Sequence, residues 1–87
     1  MVKDGDYLAI FNSIHFVMEA ERLLKGKRLK ILLIPAPRAL GSDCGLALKY
    51  EEAVRGEVEG ALAVAGILPR DRYQKVGDDY RKIEGEL

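Results

Sequence analysis

Residues 6–12, DYLAIFN, are the sequence feature that most restricts the fold. The run begins after Gly5, ends before Ser13 and contains five consecutive apolar or aromatic residues. A run of this kind without polar alternation favours a strand that is buried on both faces. The Ser13 hydroxyl can cap a helix behind it, where apolar residues recur at helical spacing. The sequence therefore predicts a strand at 6–12 and a helix at 13–25 that ends with Gly26 in the left-handed conformation.

The remaining elements follow from changes of hydrophobic period along the chain. The apolar run LKILLI predicts a second strand, which Pro35 and Pro37 end because proline lacks a backbone donor and restricts the residue before it. GLALKY alternates between apolar and mixed positions, as a half-buried strand does. After Tyr50, apolar residues again recur at helical spacing. The predicted elements are strands at 29–34, 45–50 and 72–76, a helix at 51–65 and a charged tail at 78–87.

The order of these elements is strand, helix, strand, strand, helix, strand. This order predicts an α+β fold of the split βαβ, or ferredoxin-like, kind, in which two helices cover one face of a four-stranded antiparallel sheet. The other face of that sheet is expected to lie open. Leu32 and Ile34 place aliphatic groups in the second strand, so we expect a homodimer formed through the sheet face or an edge strand.

Length and charge restrict the class of protein further. The 87 residues fit one small domain, 1–87, with a core at about 6–77. Fourteen basic and fourteen acidic residues give no net charge, which argues against nucleic acid as a partner. The longest uncharged stretch, 31–37, is too short to span a bilayer, and the acidic start VKDGD does not resemble a signal peptide. We expect a cytoplasmic protein that does not bind membranes.

Cys44 is the chain's only cysteine, and it follows a Gly-Ser-Asp step in sequence typical of a loop. One cysteine cannot form an intramolecular disulfide, and with the single histidine it cannot supply a zinc site. No metal and no cofactor is predicted. A thiol reacts as its thiolate, which Arg38 and the backbone amides after Cys44 could stabilise, while Asp43 beside it would oppose a second negative charge. The alternative is that Cys44 is a small apolar packing residue.

Three stretches of the sequence resemble one known family. DYLAIFNSIHFVMEAERLLK, the PAPR turn and SDCGLALKY are similar to the selenium/sulfur carrier protein-like family, and the resemblance runs from about Tyr7 to Tyr73. It implies a carrier rather than a turnover enzyme, with Cys44 as the reactive residue and Arg38, Ser42 and Gly45 as binding residues around it. Such a carrier holds sulfur or selenium as a persulfide or selenosulfide and exchanges it with donor and acceptor proteins, without a cofactor.

A second interpretation is a non-enzymatic regulatory or interaction module of the same fold, in which the cysteine is structural. RNA binding would need aromatic residues on the outer face of the central strands, where GLALKY offers Ala47 and Lys49 instead. Metal trafficking by this fold would need paired thiols, and the chain has one. The structure therefore has to distinguish between two functions, a sulfur or selenium carrier and an interaction module.

Overall fold

The computed structural model describes residues 2–42, 44–85 and 87. Two helices pack against one antiparallel sheet, so the predicted α+β class is confirmed. Neither helix among the described residues is long and apolar enough to cross a membrane. The elements are β1 (Tyr7–Ile10), α1 (Ile14–Gly26), β2 (Ile31–Pro35), β3 (Leu46–Tyr50), α2 (Arg55–Ala65), β4 (Asp71–Val76) and β5 (Asp79–Lys82), with short 3-10 helices at Arg38–Leu40 and Glu52–Val54.

The sheet has the strand order β2-β3-β1-β4-β5, and every neighbouring pair is antiparallel. β1 is the central strand, since Tyr7 pairs with Tyr50 of β3 on one side and with Gln74 of β4 on the other. A strand in this position has both rows of backbone groups paired, which allows it to be buried. β1 is buried along its whole length, as its continuous apolar run predicts.

One face of the sheet carries the main core. Tyr7, Ala9 and Phe11 of this face pack with buried residues of both helices, which are Val17, Ala20 and Leu24 of α1 and Val58 and Leu62 of α2. The helical spacing read from the sequence therefore corresponds to the buried stripe of each helix. Both helices thus lie over the same face.

The prediction of four strands is wrong, because the sheet has a fifth. β5 lies within the segment 78–87 that was expected to be a tail, and it pairs with β4 from Tyr73↔Lys82 to Val76↔Asp79. The two residues between the strands are Gly77 and Asp78, and Gly77 has a φ of 61°. A positive φ at the first position of a two-residue hairpin is what a type II′ turn requires. The turn therefore folds the charged segment back onto the sheet.

The second face of the sheet is less open than expected. Leu8 and Ile10 point to this side of β1 and are fully buried, although neither α1 nor α2 covers them. Leu40 from the first 3-10 helix, Val2 and the side chains of Tyr73 and Tyr80 pack around them instead. Of the two residues that suggested a dimer surface, Ile34 is 3% exposed and belongs to this small core, whereas Leu32 is 49% exposed.

A polar cluster ties α2 to the sheet. The rings of Tyr7 and Tyr50 stack with centroids 5.6 Å apart, and the Tyr50 hydroxyl donates to Glu59 of α2 at 2.7 Å. Glu59 also pairs with Arg72 of β4 at 3.1 Å. Burial first, and the Glu59 hydrogen bond second, raise the pKa of Tyr50 above its ordinary range, so its hydroxyl remains a donor. These contacts fix the register of α2 over β3 and β4.

The end of α1 differs from the prediction. Gly26 is the last helical residue and has no positive φ; the left-handed residue is Arg28, with a φ of 61°. The Arg28 amide donates to the Lys25 carbonyl at 2.9 Å, and the Leu29 amide donates to the Leu24 carbonyl at 3.1 Å. These two bonds form a Schellman motif in which Arg28 takes the position that usually holds glycine. Leu29 then packs on the core, which explains why the chain tolerates the strain.

We expect Arg28→Gly to raise the free energy of unfolding by about 0.5–1 kcal/mol, because glycine adopts a positive φ without the Cβ clash. Urea denaturation of the parent and the variant measures the change.

The matched control is Lys27→Gly, since Lys27 precedes Arg28 and has an ordinary φ of −90°. Glycine there adds freedom to the unfolded chain without relieving strain, so stability should fall by about 0.5 kcal/mol. An equal effect of both substitutions would contradict the assignment of strain to Arg28.

Candidate functional site

Cys44 lies in the loop that joins β2 to β3, residues 36–45. The loop is closed at its base by a hydrogen bond of 2.9 Å from the Ala36 amide to the Gly45 carbonyl. Gly41 and Gly45, which flank the Cys44 segment, have φ values of 62° and 74°. L-residues with side chains rarely adopt such values, so these glycines let the chain reverse on either side of the cysteine. The loop geometry thus agrees with the composition of the segment.

The Cys44 sulfur is half-buried and takes part in a small hydrogen-bonded group. Its Sγ–H donates to the Leu46 carbonyl at 3.4 Å, and the Ser42 hydroxyl donates to the same carbonyl at 3.3 Å. Ser42 Oγ lies 3.6 Å from Cys44 Sγ. The Ser42 proton can therefore serve either the carbonyl or the sulfur. When the thiol loses its proton, the hydroxyl is placed to donate to the sulfur anion.

The amino-terminal end of α1 lies beside the cysteine. Cys44, Asn12, Ser13 and Ile14 line a shallow cavity of about 370 Å³. Ser13 caps the helix by accepting from the Phe16 amide at 3.3 Å, and the first turn of the helix contains no acidic residue. The positive end of the helix dipole is thus not offset by a carboxylate within that turn. A helix amino terminus is one of the environments that favours a thiolate.

The four residues assigned to the site from the sequence do not all make contacts there. Ser42 and Gly45 lie with Cys44 in the closed loop. Arg38 is exposed on the 3-10 helix, and its side chain forms no hydrogen bond or ion pair with the described residues. Asp43 lies outside the described residues, so its expected effect on the thiol is not part of this geometry.

Arg70 is a residue of this region that sequence reasoning missed. It precedes β4, and its guanidinium donates to the carbonyls of Leu40 and Gly41, at 3.3 Å each, and to Asp71 at 2.7 Å. The arginine therefore holds the cysteine loop from a position about 30 residues away in sequence. No local pattern around Arg70 indicates this contact, because it depends on the pairing of β4 with β1.

Asp71 links the anchor of the loop to the edge of the sheet. Its carboxylate accepts from Arg70 and forms an ion pair of 3.2 Å with Lys82 of β5. The hydrogen bond from Arg70, and then that from Lys82, hold the pKa of Asp71 below its ordinary value, against the opposing effect of burial. Because β5 supplies Lys82, the fifth strand contributes indirectly to the position of the loop.

The described residues contain no group of three or more His, Cys, Asp or Glu side chains that could hold a metal ion.

The chain belongs to the family described as "Putative Se/S carrier protein-like", whose model matches residues 6–74. The family suggested by the sequence is thereby confirmed. No curated protein and no solved structure matches the chain. The matched span includes β1 to β3, both helices, most of β4 and the whole cysteine loop.

We expect the contribution of Asp71 to stability to depend on pH. The folded pKa lies below the unfolded value of about 3.9, so the contribution is fully present above about pH 5 and is lost as pH falls through the folded value. Asp71→Asn cannot titrate. The free energy of unfolding of the parent should therefore exceed that of this variant by roughly 0.5–1 kcal/mol at pH 7 and by less at pH 3.

Urea denaturation from pH 3 to 7 measures this difference. Asp79→Asn is the control, since Asp79 is exposed at the other end of β5 and forms no ion pair with the described residues. A parent–variant difference for Asp71→Asn that stays constant across this pH range would show that the carboxylate charge is not involved.

Proposed function

We propose that this protein carries sulfur or selenium on Cys44, as a persulfide or selenosulfide, and passes it to an acceptor protein. The observation that carries the proposal is that Cys44 lines an open cavity at the amino terminus of α1. Membership of the Se/S carrier protein-like family supports the same function. A carrier needs a nucleophilic thiol that protein partners can reach, and the cavity gives partners access to Cys44.

The chemistry needs one nucleophile and no change of net oxidation state. The Cys44 thiolate attacks the outer sulfur of a donor persulfide; a bond forms between Sγ and that sulfur, while the donor's S–S bond breaks and its thiolate leaves. Delivery to the acceptor follows the same exchange in reverse. The proton of the Cys44 thiol passes to solvent before attack. With selenium as the transferred atom, the same step yields a selenosulfide.

Ser42, Gly45 and Arg38 have different roles in this proposal. The Ser42 hydroxyl turns from the Leu46 carbonyl to the Cys44 sulfur anion. The distances from Ser42 Oγ to that carbonyl oxygen, 3.3 Å, and to the sulfur, 3.6 Å, support this movement. Gly45 keeps the loop closed through the Ala36 bond. Arg38 is exposed and supplies a positive charge to a partner or to the outer sulfur of the persulfide.

The fold and assembly expected from the sequence complete the proposal. The order β2-β3-β1-β4 supports a ferredoxin-like arrangement with β5 added at one edge. A main core and a smaller core on the two faces of one sheet support a single domain over 1–87. A cytoplasmic location remains an expectation. The homodimer also stays a prediction, with Leu32 as the exposed member of the pair that suggested it.

The second candidate function is the interaction module with a structural cysteine. It is favoured by the contact of the half-buried Cys44 side chain with the main core and by its hydrogen bond to the Leu46 carbonyl. Both contacts suit a packing residue. The two functions differ in whether Cys44 accepts a sulfur atom, which can be measured directly.

We expect incubation with a cysteine desulfurase and cysteine to add one sulfur atom to the chain. Intact mass spectrometry under non-reducing conditions should show an added mass of one sulfur that dithiothreitol removes.

Cys44→Ser is the blank, because serine keeps the shape of the side chain but cannot form a persulfide. An unmodified parent, or equal modification of the blank, would leave the interaction module as the better reading of the structure.

We expect the helix end to control the reactivity of Cys44. His15→Glu places a carboxylate in the first turn of α1, where it offsets the dipole and repels a sulfur anion. The rate of iodoacetamide alkylation at pH 7 should fall by about twofold to fivefold, which corresponds to the 0.3–1 kcal/mol typical of such interactions.

The matched control is Arg22→Gln, which lowers the formal charge by the same one unit at an exposed position two turns along the same helix and should leave the alkylation rate nearly unchanged. Arg38→Ala, measured in parallel, gives the contribution of the loop cation. If His15→Glu and Arg22→Gln slow the reaction equally, the effect is one of net charge and the helix end has no special role.

A further inference from the structure

The two edges of the sheet differ in how they are protected against additional strands. Three of the four residues of β5 are charged, and charged side chains on a short edge strand discourage pairing with another chain. β2, at the opposite edge, is Ile-Leu-Leu-Ile-Pro and contains no charge. It pairs with β3 on one side only, so its outward backbone groups pair with no other strand of the described residues. An unprotected edge of this kind is a template for strand addition.

The charges around β2 indicate which kind of strand it accepts. Residues 27–38 include four cations, Lys27, Arg28, Lys30 and Arg38, and no acid. None of these four side chains forms an ion pair with the described residues, whereas the neighbouring Lys25 is paired with Glu21 at 3.0 Å. A second copy of the chain would place its own cations against these. A segment with acidic residues at its ends complements them.

Apolar contacts are also available along this edge. Leu32 is exposed on one side of β2, where it offers an apolar contact to a side chain of an added strand. In strand addition, backbone hydrogen bonds supply affinity, and pockets that receive alternate side chains supply specificity.

We infer that the free edge of β2 binds an extended, apolar segment with acidic ends from a partner protein, as a sixth strand of the sheet. β2 runs directly into the cysteine loop, whose base is closed by the Ala36–Gly45 bond. A segment paired with β2 therefore ends beside the loop that carries Cys44. The role of the partner as sulfur donor or acceptor rests on the proposed function, but the binding surface does not.

The test is a titration of the ¹⁵N-labelled full chain with the synthetic peptide Asp-Asp-Val-Thr-Val-Thr-Val-Glu-Glu, followed by amide chemical shifts. We expect the largest shifts at residues 31–34 and weaker binding as salt is raised. A peptide with lysine in place of the four acids should bind at least tenfold more weakly. Lys30→Glu should weaken binding of the acidic peptide by about threefold to tenfold.

Arg81→Glu on β5 is the matched control, because it makes the same change of charge on the other edge strand and should leave the dissociation constant within about twofold. Shifts centred away from β2, equal binding of both peptides, or equal effects of the two substitutions would overturn the inference. So would light scattering that shows a dimer whose β2 amides are protected from exchange, since a second copy would then occupy the edge.

The variant Cys44→Ser tests the docking edge independently of the carrier function. It should bind the acidic peptide as well as the parent does. Peptide binding without sulfur loading would refute the carrier function alone. Sulfur loading of a chain that does not bind the peptide at β2 would refute the docking edge alone.

Discussion

The structure depends on the complete burial of β1 between β3 and β4. Leu8, Ala9, Ile10 and Phe11 have no exposed surface, so the backbone of this strand can be satisfied only by two neighbouring strands. Its side chains enter both cores, one beneath the helices and one on the opposite face. Because β1 ends at Ile10, the start of α1 at Ile14, just after its Ser13 cap, is fixed against the sheet, and the helix end is brought to the cysteine loop.

Elements whose local pattern agrees with their tertiary position were predictable. β1 to β4 and both helices were predicted from hydrophobic period and, for α1, from its cap. α1 differs from its predicted range by one residue at each end, whereas α2 begins at Arg55 and not at 51, because residues 52–54 form a short 3-10 helix. β5 was missed although Gly77-Asp78 is a readable two-residue hairpin signal, because the charges of 78–87 were given more weight than the turn. The left-handed conformation of Arg28 could not be predicted, because Gly26, two positions earlier, is the residue expected to adopt it. Only the packing of Leu29 on the core selects the longer helix.

In the candidate site, too, contacts within one short segment were predictable from the sequence, and contacts between remote segments were not. Cys44, Ser42 and Gly45 are close in sequence, and their contacts are those of one short loop, so their grouping was accessible from the sequence. The helix end and Arg70 come from remote parts of the chain, and strand register alone brings them to the loop. Sequence reasoning assigned the anion-stabilising charge to Arg38 within the same loop, whereas the structure brings the amino terminus of α1 to the cavity that Cys44 lines.

The central position of β1 also affects how fast the chain can fold. The pairing of Tyr7 with Gln74 closes a loop of 67 positions, and the entropy of that closure is lost before the contact is gained. The β4–β5 hairpin, by comparison, closes over two residues. Folds dominated by pairings between remote segments form slowly compared with helical bundles of similar size. Because Arg70 precedes β4, the Cys44 loop gains its anchor at Leu40 and Gly41 only on a chain whose first and fourth strands have already joined.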